Sequence, residues 1–263
     1  MLMVLSPAKT LAEGPAIARL PATMPDLLGE ARGLVSVVRG LSAADLGSLM
    51  SISPALAELN HGRFHTYDEP FTPQNSRQAI RMFRGDVYLG FDAETMADDD
   101  LVFAQDRVAI LSGLYGALRP LDLIQPYRLE MGTRLDTPRG GTLYAYWGDR
   151  VTDWLSTRLA GQDNDTLVNL ASKEYFGVVR PRKLPGTVIE PVFRDIKAGK
   201  ARVISFFAKR ARGEMARWAV VHRIDDPADL RAFDGGGYAW QSDLSTSTRW
   251  VFTRAQPPPP TGK

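Results

Sequence analysis

Cysteine is absent from the 263 residues. That removes disulfides, thiolate metal sites, iron–sulfur ligation and cysteine nucleophiles together, and it fits a reducing compartment. Histidine is scarce, with three residues in all. His61 and His65 stand four apart and Glu58 lies three before His61. A di-iron bundle needs two Glu-x-x-His pairs and a zincin needs His-Glu-x-x-His, so the sequence predicts no resident metal and no cofactor. No apolar run approaches the roughly 18 residues that cross a bilayer, and Met1–Leu5 is too short for a signal-peptide core, so the expected location is the cytoplasm, with no membrane partner. There is no internal repeat. Neither sign of charge dominates: 32 basic residues against 30 acidic leave a net charge of +2, so bulk charge names no partner.

The composition present is that of a globular chain, 44% hydrophobic and 24% charged, and the length suits one core. The sequence predicts a single domain over 1–254. Residues 255–263, with four consecutive prolines, read as a disordered tail. Charge is unevenly placed. Arg180 to Arg223 holds twelve basic residues against three acidic ones, whereas Asp86 to Arg107 holds seven carboxylates against one arginine. The first window could form a face for a polyanion or an ordinary solvated surface.

Met1–Leu5 reads as a buried first strand stopped by Ser6 and Pro7. Apolar spacing predicts amphipathic helices between Pro25 and Met50, a third over Ala55–Phe64 and a fourth over Gln74–Phe83 capped by Asn75 or Ser76. Further helices are expected at Asp98–Leu111 and Leu143–Leu159. Strands are expected at Thr166–Leu170, Thr187–Phe193 and Arg202–Phe207, the last two joined in a hairpin with Gly199 in its turn. A basic helix over Ala208–His222, a short helix at Asp226–Phe233, a glycine break at Gly235–Gly237 and a closing strand at Thr248–Phe252 follow. Strands and helices do not alternate regularly, so the fold class expected is α+β: one mixed domain with a central sheet surrounded by helices.

Five polar constellations could carry chemistry. Ser6 and Lys9 lie just after the first strand, a common place for ligand groups. They satisfy the S-x-x-K spacing of penicillin-recognising hydrolases, but the S-D-N and K-T-G elements are missing, and a capped turn whose lysine meets a phosphate or carboxylate outweighs a serine nucleophile. Leu111–Pro120 (LSGLYGALRP) places Gly113 and Gly116 around two bulky residues. This suits the hairpin of a helix–hairpin–helix, whose amides approach a phosphate with Arg119 nearby, or an ordinary tight turn. In Pro126–Gly132, a strand would put Tyr127 and Leu129 on one side and Arg128 and Glu130 on the other. Asn169, Ser172, Glu174 and Tyr175 follow the Thr166–Leu170 strand. Last, Lys209, Arg210 and Arg212 crowd a helix start, where they oppose the dipole and so invite an anion, beside Phe206 and Phe207, which could stack on bases or fill the core.

Together the segments Ser6–Thr10 (SPAKT), Arg63–His65 (RFH), Gly85–Tyr88 (GDVY), Leu111–Asp122, Pro126–Gly132 (PYRLEMG), Trp147–Asp149 (WGD), Asn169–Phe176 (NLASKEYF) and Ile204–Gly213 (ISFFAKRARG) resemble the YaaA peroxide-stress protein family. The resemblance implies a single-domain protein that limits free iron and oxidative DNA damage during peroxide stress. It also implies a basic cleft, a helix–hairpin–helix-like element and non-sequence-specific binding of duplex or damaged DNA. On this reading Lys9, Gly113, Gly116, Arg119, Arg128, Lys209, Arg210 and Arg212 contact phosphate. The alternative is an enzyme acting on a nucleotide or nucleobase-like small molecule in the same cleft, with Ser6, Lys9, Glu130 and Glu174 as catalytic candidates. Gly177 stands where the family often has a basic residue, which thins the cationic patch.

Overall fold

The architecture follows from a few short, fully buried and mostly apolar runs. The structure is a computed structural model describing residues 1–12 and 14–257. Its main sheet has eight strands: β1 (Leu2–Leu5), β2 (Val108–Ser112), β3 (Gly116–Leu118), β4 (Leu167–Leu170), β5 (Val188–Lys197), β6 (Lys200–Arg202), β7 (Ala239–Gln241) and β8 (Arg249–Ala255). Strands β1, β2 and β4 are buried at every position. Parallel strands covered on both faces read this way, as continuous rather than alternating apolar runs. β1 sits at the centre, parallel to β2 on one side (Met3 opposite Val108) and to β4 on the other (Leu2 opposite Leu167). β5 continues parallel to β4, and β8 parallel to β5. Antiparallel strands occur at the margins: β3 returns on β2, β6 on β5 and β7 on β8.

Seven helices matter for the site and core: α1 (Leu28–Arg39), α2 (Ala43–Met50), α3 (Pro54–His65), α4 (Asp86–Phe91), α5 (Asp98–Ala104), α6 (Arg150–Ala160) and α7 (Ser205–Val221). Ser42 and Asp45 form a reciprocal capping box on α2, and Ser53 with Pro54 starts α3. The serine hydroxyls accept backbone N–H groups that a helix start leaves free, and the proline has none to satisfy. Among the described residues no single helix is long and apolar enough to cross a membrane.

The mixed α+β sheet domain, the early helices, the β5–β6 hairpin with Gly199 at φ +73°, and the closing strand agree with the sequence reading. Four element assignments do not. Asp98–Leu111 divides into α5 and β2, because the run Val108–Ser112 is a central strand that periodicity cannot tell from a buried helix. Gln74–Phe83 keeps only one helical turn, Ala79–Met82, and Asn75 binds the Thr72 amide instead of capping a helix. Leu143–Leu159 breaks at Gly148, φ +53°, into Leu143–Trp147 and α6. The segment Arg202–Phe207 leaves the sheet after Arg202, and α7 begins at Ser205. The proline run expected as a tail falls largely in 258–263, outside the described residues.

Candidate functional site

Along the five parallel strands the spatial order is β2-β1-β4-β5-β8. From β1 the chain crosses to β2 on one side, and every later parallel strand is added on the other. The order therefore reverses between β1 and β4, and the carboxyl ends of strands flanking such a reversal leave a crevice between diverging connections. Here that crevice is real. A cavity of about 420 Å³ is lined by residues 6–10, residues 84–88, Leu170, Ser172, Glu174, Tyr175, Lys209 and Arg212.

Ser6 spans the reversal. Its Oγ accepts the Ser172 amide at 2.8 Å, tying the end of β1 to the end of β4. Its carbonyl accepts the Tyr88 hydroxyl at 3.0 Å. The Lys9 ammonium pairs with Glu130 Oε1 at 3.0 Å, while Ser6 Oγ is engaged by the Ser172 amide. The S-x-x-K spacing therefore does not assemble a serine activated by lysine. Arg128 donates to the same Glu130 oxygen at 2.9 Å, so one carboxylate holds two cations.

Pro126–Gly132 pairs with no strand, yet its side chains alternate as expected: Tyr127 and Leu129 are buried, while Arg128 and Glu130 point outward. Glu174 Oε1 accepts the Gly132 amide at 3.0 Å, fixing this segment beside the one-turn helix Lys173–Phe176. Burial pushes the phenols of Tyr88, Tyr127 and Tyr175 up, so they stay neutral, and Tyr88 and Tyr175 line the cleft; the Ser112 hydroxyl, 2.6 Å from the Tyr127 oxygen, opposes the shift at Tyr127.

Arg84, paired with Glu94, also lines the cleft, and the last two cations come from α7, which touches α4 backbone to backbone. A Cβ added to Gly213 would lie 1.8 Å from the Val87 carbonyl oxygen, and one added to Gly90 would lie 2.1 Å from that of Arg210. Glycine at both positions lets α7 press against α4 and carry Lys209 and Arg212 to the cleft wall. Burial pulls the Arg212 guanidinium below its ordinary range, with Glu190 acting in the opposite sense, and its Nε is buried without a hydrogen-bond partner. Arg210 projects elsewhere, to Glu214 at 3.0 Å and into a neighbouring cavity. Because α7 starts at Ser205, these cations sit beyond its first turn, where opposition to the dipole has faded.

The hairpin residues are a correction. Gly113 and Gly116 join two β-strands, not two helices, and both are buried. A Cβ on Gly113 would meet the Leu129 carbonyl at 2.2 Å, and one on Gly116 would meet the Trp147 ring at 2.7 Å. Their close approach is to the protein's own core and leaves no face for a phosphate. Arg119 is likewise spent internally, on Asp122 and the Met24 carbonyl. Sequence reasoning passed over Arg84 and Tyr88 as site residues; the Gly85–Tyr88 motif was the available signal. His61 and His65 stack on each other at 4.1 Å on α3 and do not line the cleft.

Fold and site together define an α+β sheet protein with a crevice at a topological reversal, lined by four cations and the carboxylates Asp86 and Glu174. The chain belongs to the YaaA peroxide stress protein family, whose model matches residues 1–244. It is 52% identical over 254 residues to a UPF0246 protein of Ralstonia nicotianae, covering 97% of this chain and 99% of the relative. UPF0246 proteins of Ralstonia pickettii (53%, covering 97% and 99%) and an Azoarcus species (50%, covering 97% and 100%) are similar throughout.

Proposed function

We propose that this peroxide stress protein protects DNA by holding its phosphates, without reading sequence, in the cleft between β1 and β4, and that this activity accompanies low unincorporated iron and limited oxidative DNA damage. The observation that carries the reading is the placing of Lys209 and Arg212 on one concavity with Lys9 and Arg84, whose charges Glu130 and Glu94 share, with Arg212 Nε buried and unpartnered. A partly desolvated guanidinium lacking an acceptor is stabilised by an oxyanion, and phosphate matches its geometry. Phosphate contacts fix position and carry no base information.

Titration of a labelled duplex at several salt concentrations tests this. The log–log slope should be about −0.9 for each phosphate neutralised, and Arg212→Met should reduce it by about one contact. Glu130→Gln, which frees Lys9 and Arg128, should tighten binding. No binding at low salt would reject the reading.

A second reading, an enzyme acting on a nucleotide or nucleobase-like molecule, is favoured by the cleft's volume, which suits a small ligand. Glu174 then lies in the cleft wall and Glu130 beside Lys9 as candidate acid or base. Under that reading free nucleotide displaces DNA, and Glu130→Gln abolishes turnover.

A further inference from the structure

We propose that Phe206, on the first turn of α7, is a stacking platform for one unpaired nucleobase of the strand whose phosphate occupies the neighbouring cleft. This rests on the DNA reading above and adds to it the kind of strand preferred. Phe206 is the one aromatic side chain among the exposed large hydrophobic residues described, at 45% exposure. A lone exposed apolar residue is ordinary; this one ends a built series of contacts. Its ring lies 4.0 Å from that of Phe207, centroid to centroid. The Arg254 guanidinium is 4.8 Å from the Phe207 ring and 4.2 Å from that of Tyr238. Asp195, fully buried, holds both Arg254 Nε at 2.7 Å and the Tyr238 hydroxyl at 3.0 Å.

The series is therefore rigid at its inner end and open at Phe206. Phe206, Phe207, Arg210, Glu214 and Arg254 help line a cavity of about 390 Å³, while Lys209 and Arg212 of the same stretch of α7 line the cleft. The exposed Lys197, Lys200 and Arg202 of the adjoining hairpin add positive charge, which favours a nucleic-acid strand over a second copy of this chain as occupant. A base inside a duplex already has both faces covered, whereas an unpaired base offers one to a ring.

Anisotropy titrations of Phe206→Ala with a labelled single-stranded oligonucleotide and with the duplex of the same sequence test the proposal. The single strand should bind roughly 5- to 100-fold more weakly, with duplex affinity within about twofold and single-strand affinity kept by Phe206→Trp. Equal losses on both ligands, or unchanged single-strand affinity, would overturn it, as would a change in oligomeric state alone. If the wild-type protein binds neither ligand, the phosphate reading of the cleft fails instead.

Discussion

Gly213→Ala isolates the contact that positions the α7 cations. An added methyl group would sit 1.8 Å from the Val87 carbonyl oxygen and 2.7 Å from the Phe91 amide nitrogen. Both are backbone atoms, so no side chain can rotate away, and α7 and α4 must separate by about 1.5 Å to restore ordinary contact. In an exposed helix the same substitution would stabilise by up to about 1 kcal/mol. Overpacking a close-packed interface costs about 1–3 kcal/mol, and opening the buried layer of Val87, Phe91, Ala216 and Met215 adds to it. The net expectation is a loss of about 2–3 kcal/mol, lowering Tm by about 4–12 °C for a chain of this size. Gly62→Ala is the control, since a Cβ there meets no heavy atom within 4 Å on α3, and it should leave Tm equal or slightly raised. Calorimetry on the two variants, with phosphate-dependent thermal shift as second readout, gives the comparison. A Gly213→Ala protein as stable as Gly62→Ala would refute the backbone contact and the placement of Arg212 that depends on it.

Other perturbations separate structural from ligand-binding charge. Burial would raise the Glu30 carboxyl, but Arg139 and Arg150 hold it below its ordinary value of 4.5. Its stabilisation is therefore present above that pH and lost as pH falls through the folded value, and Glu30→Gln should flatten the acid limb of urea midpoints between pH 5 and 3. Asp122 shows the reverse: burial raises it despite Thr23 and Arg119, so its contribution is complete below the ordinary value and declines as pH rises. Asp122→Ala takes from Arg119 its fully buried partner, leaving it Asp26 and the Met24 carbonyl, and should cost about 1–3 kcal/mol at neutral pH by denaturant titration. Asp100→Asn, which removes the 2.7 Å partner of Arg223, should lower Tm without altering the salt slope of DNA binding. Cells carrying Arg212→Met should show higher chelatable iron and more DNA breaks after peroxide than wild type; equal values would detach the cleft from protection.

How far the sequence carried this reading varied with the physics involved. β1 and α1–α3 were legible because apolar period and capping residues are local. β2 was not, since a buried parallel strand and a buried helix segment share one pattern. The pairing order was not legible either, because parallel strands are brought together by long crossovers whose destination no local motif records. The polar residues after the strands were found by composition: Ser6, Glu174, Lys209 and Arg212 do meet at one cavity, with Glu130 bridging Lys9 and Arg128 beside it. The glycines of Leu111–Pro120 misled for a definite reason. Spacing signals that a backbone must approach something closely, but the neighbour is Leu129 for Gly113 and Trp147 for Gly116, and it could as well have been a phosphate.

The two charge windows likewise acquire their meaning only in three dimensions. The acidic stretch Asp86–Arg107 forms α4 and α5, and both pack against the basic helix α7. Arg217 donates to the Asp92 carbonyl at 2.6 Å, Arg223 pairs with Asp100, and Arg180 and Lys183 belong to Asp149. Much of the local excess near the end of α7 is therefore neutralised within the fold, and the count of twelve against three overstates the field available to a ligand. Among the described residues, the cations of this window that form no salt bridge are Arg182, Arg194, Lys197, Lys200, Arg202, Lys209 and Arg212. Of these, Lys209 and Arg212 lie on the stretch of α7 held against α4 at Gly90 and Gly213. Charge and packing thus converge on one short stretch: the glycines that allow the helices to touch decide which of the cations face a ligand.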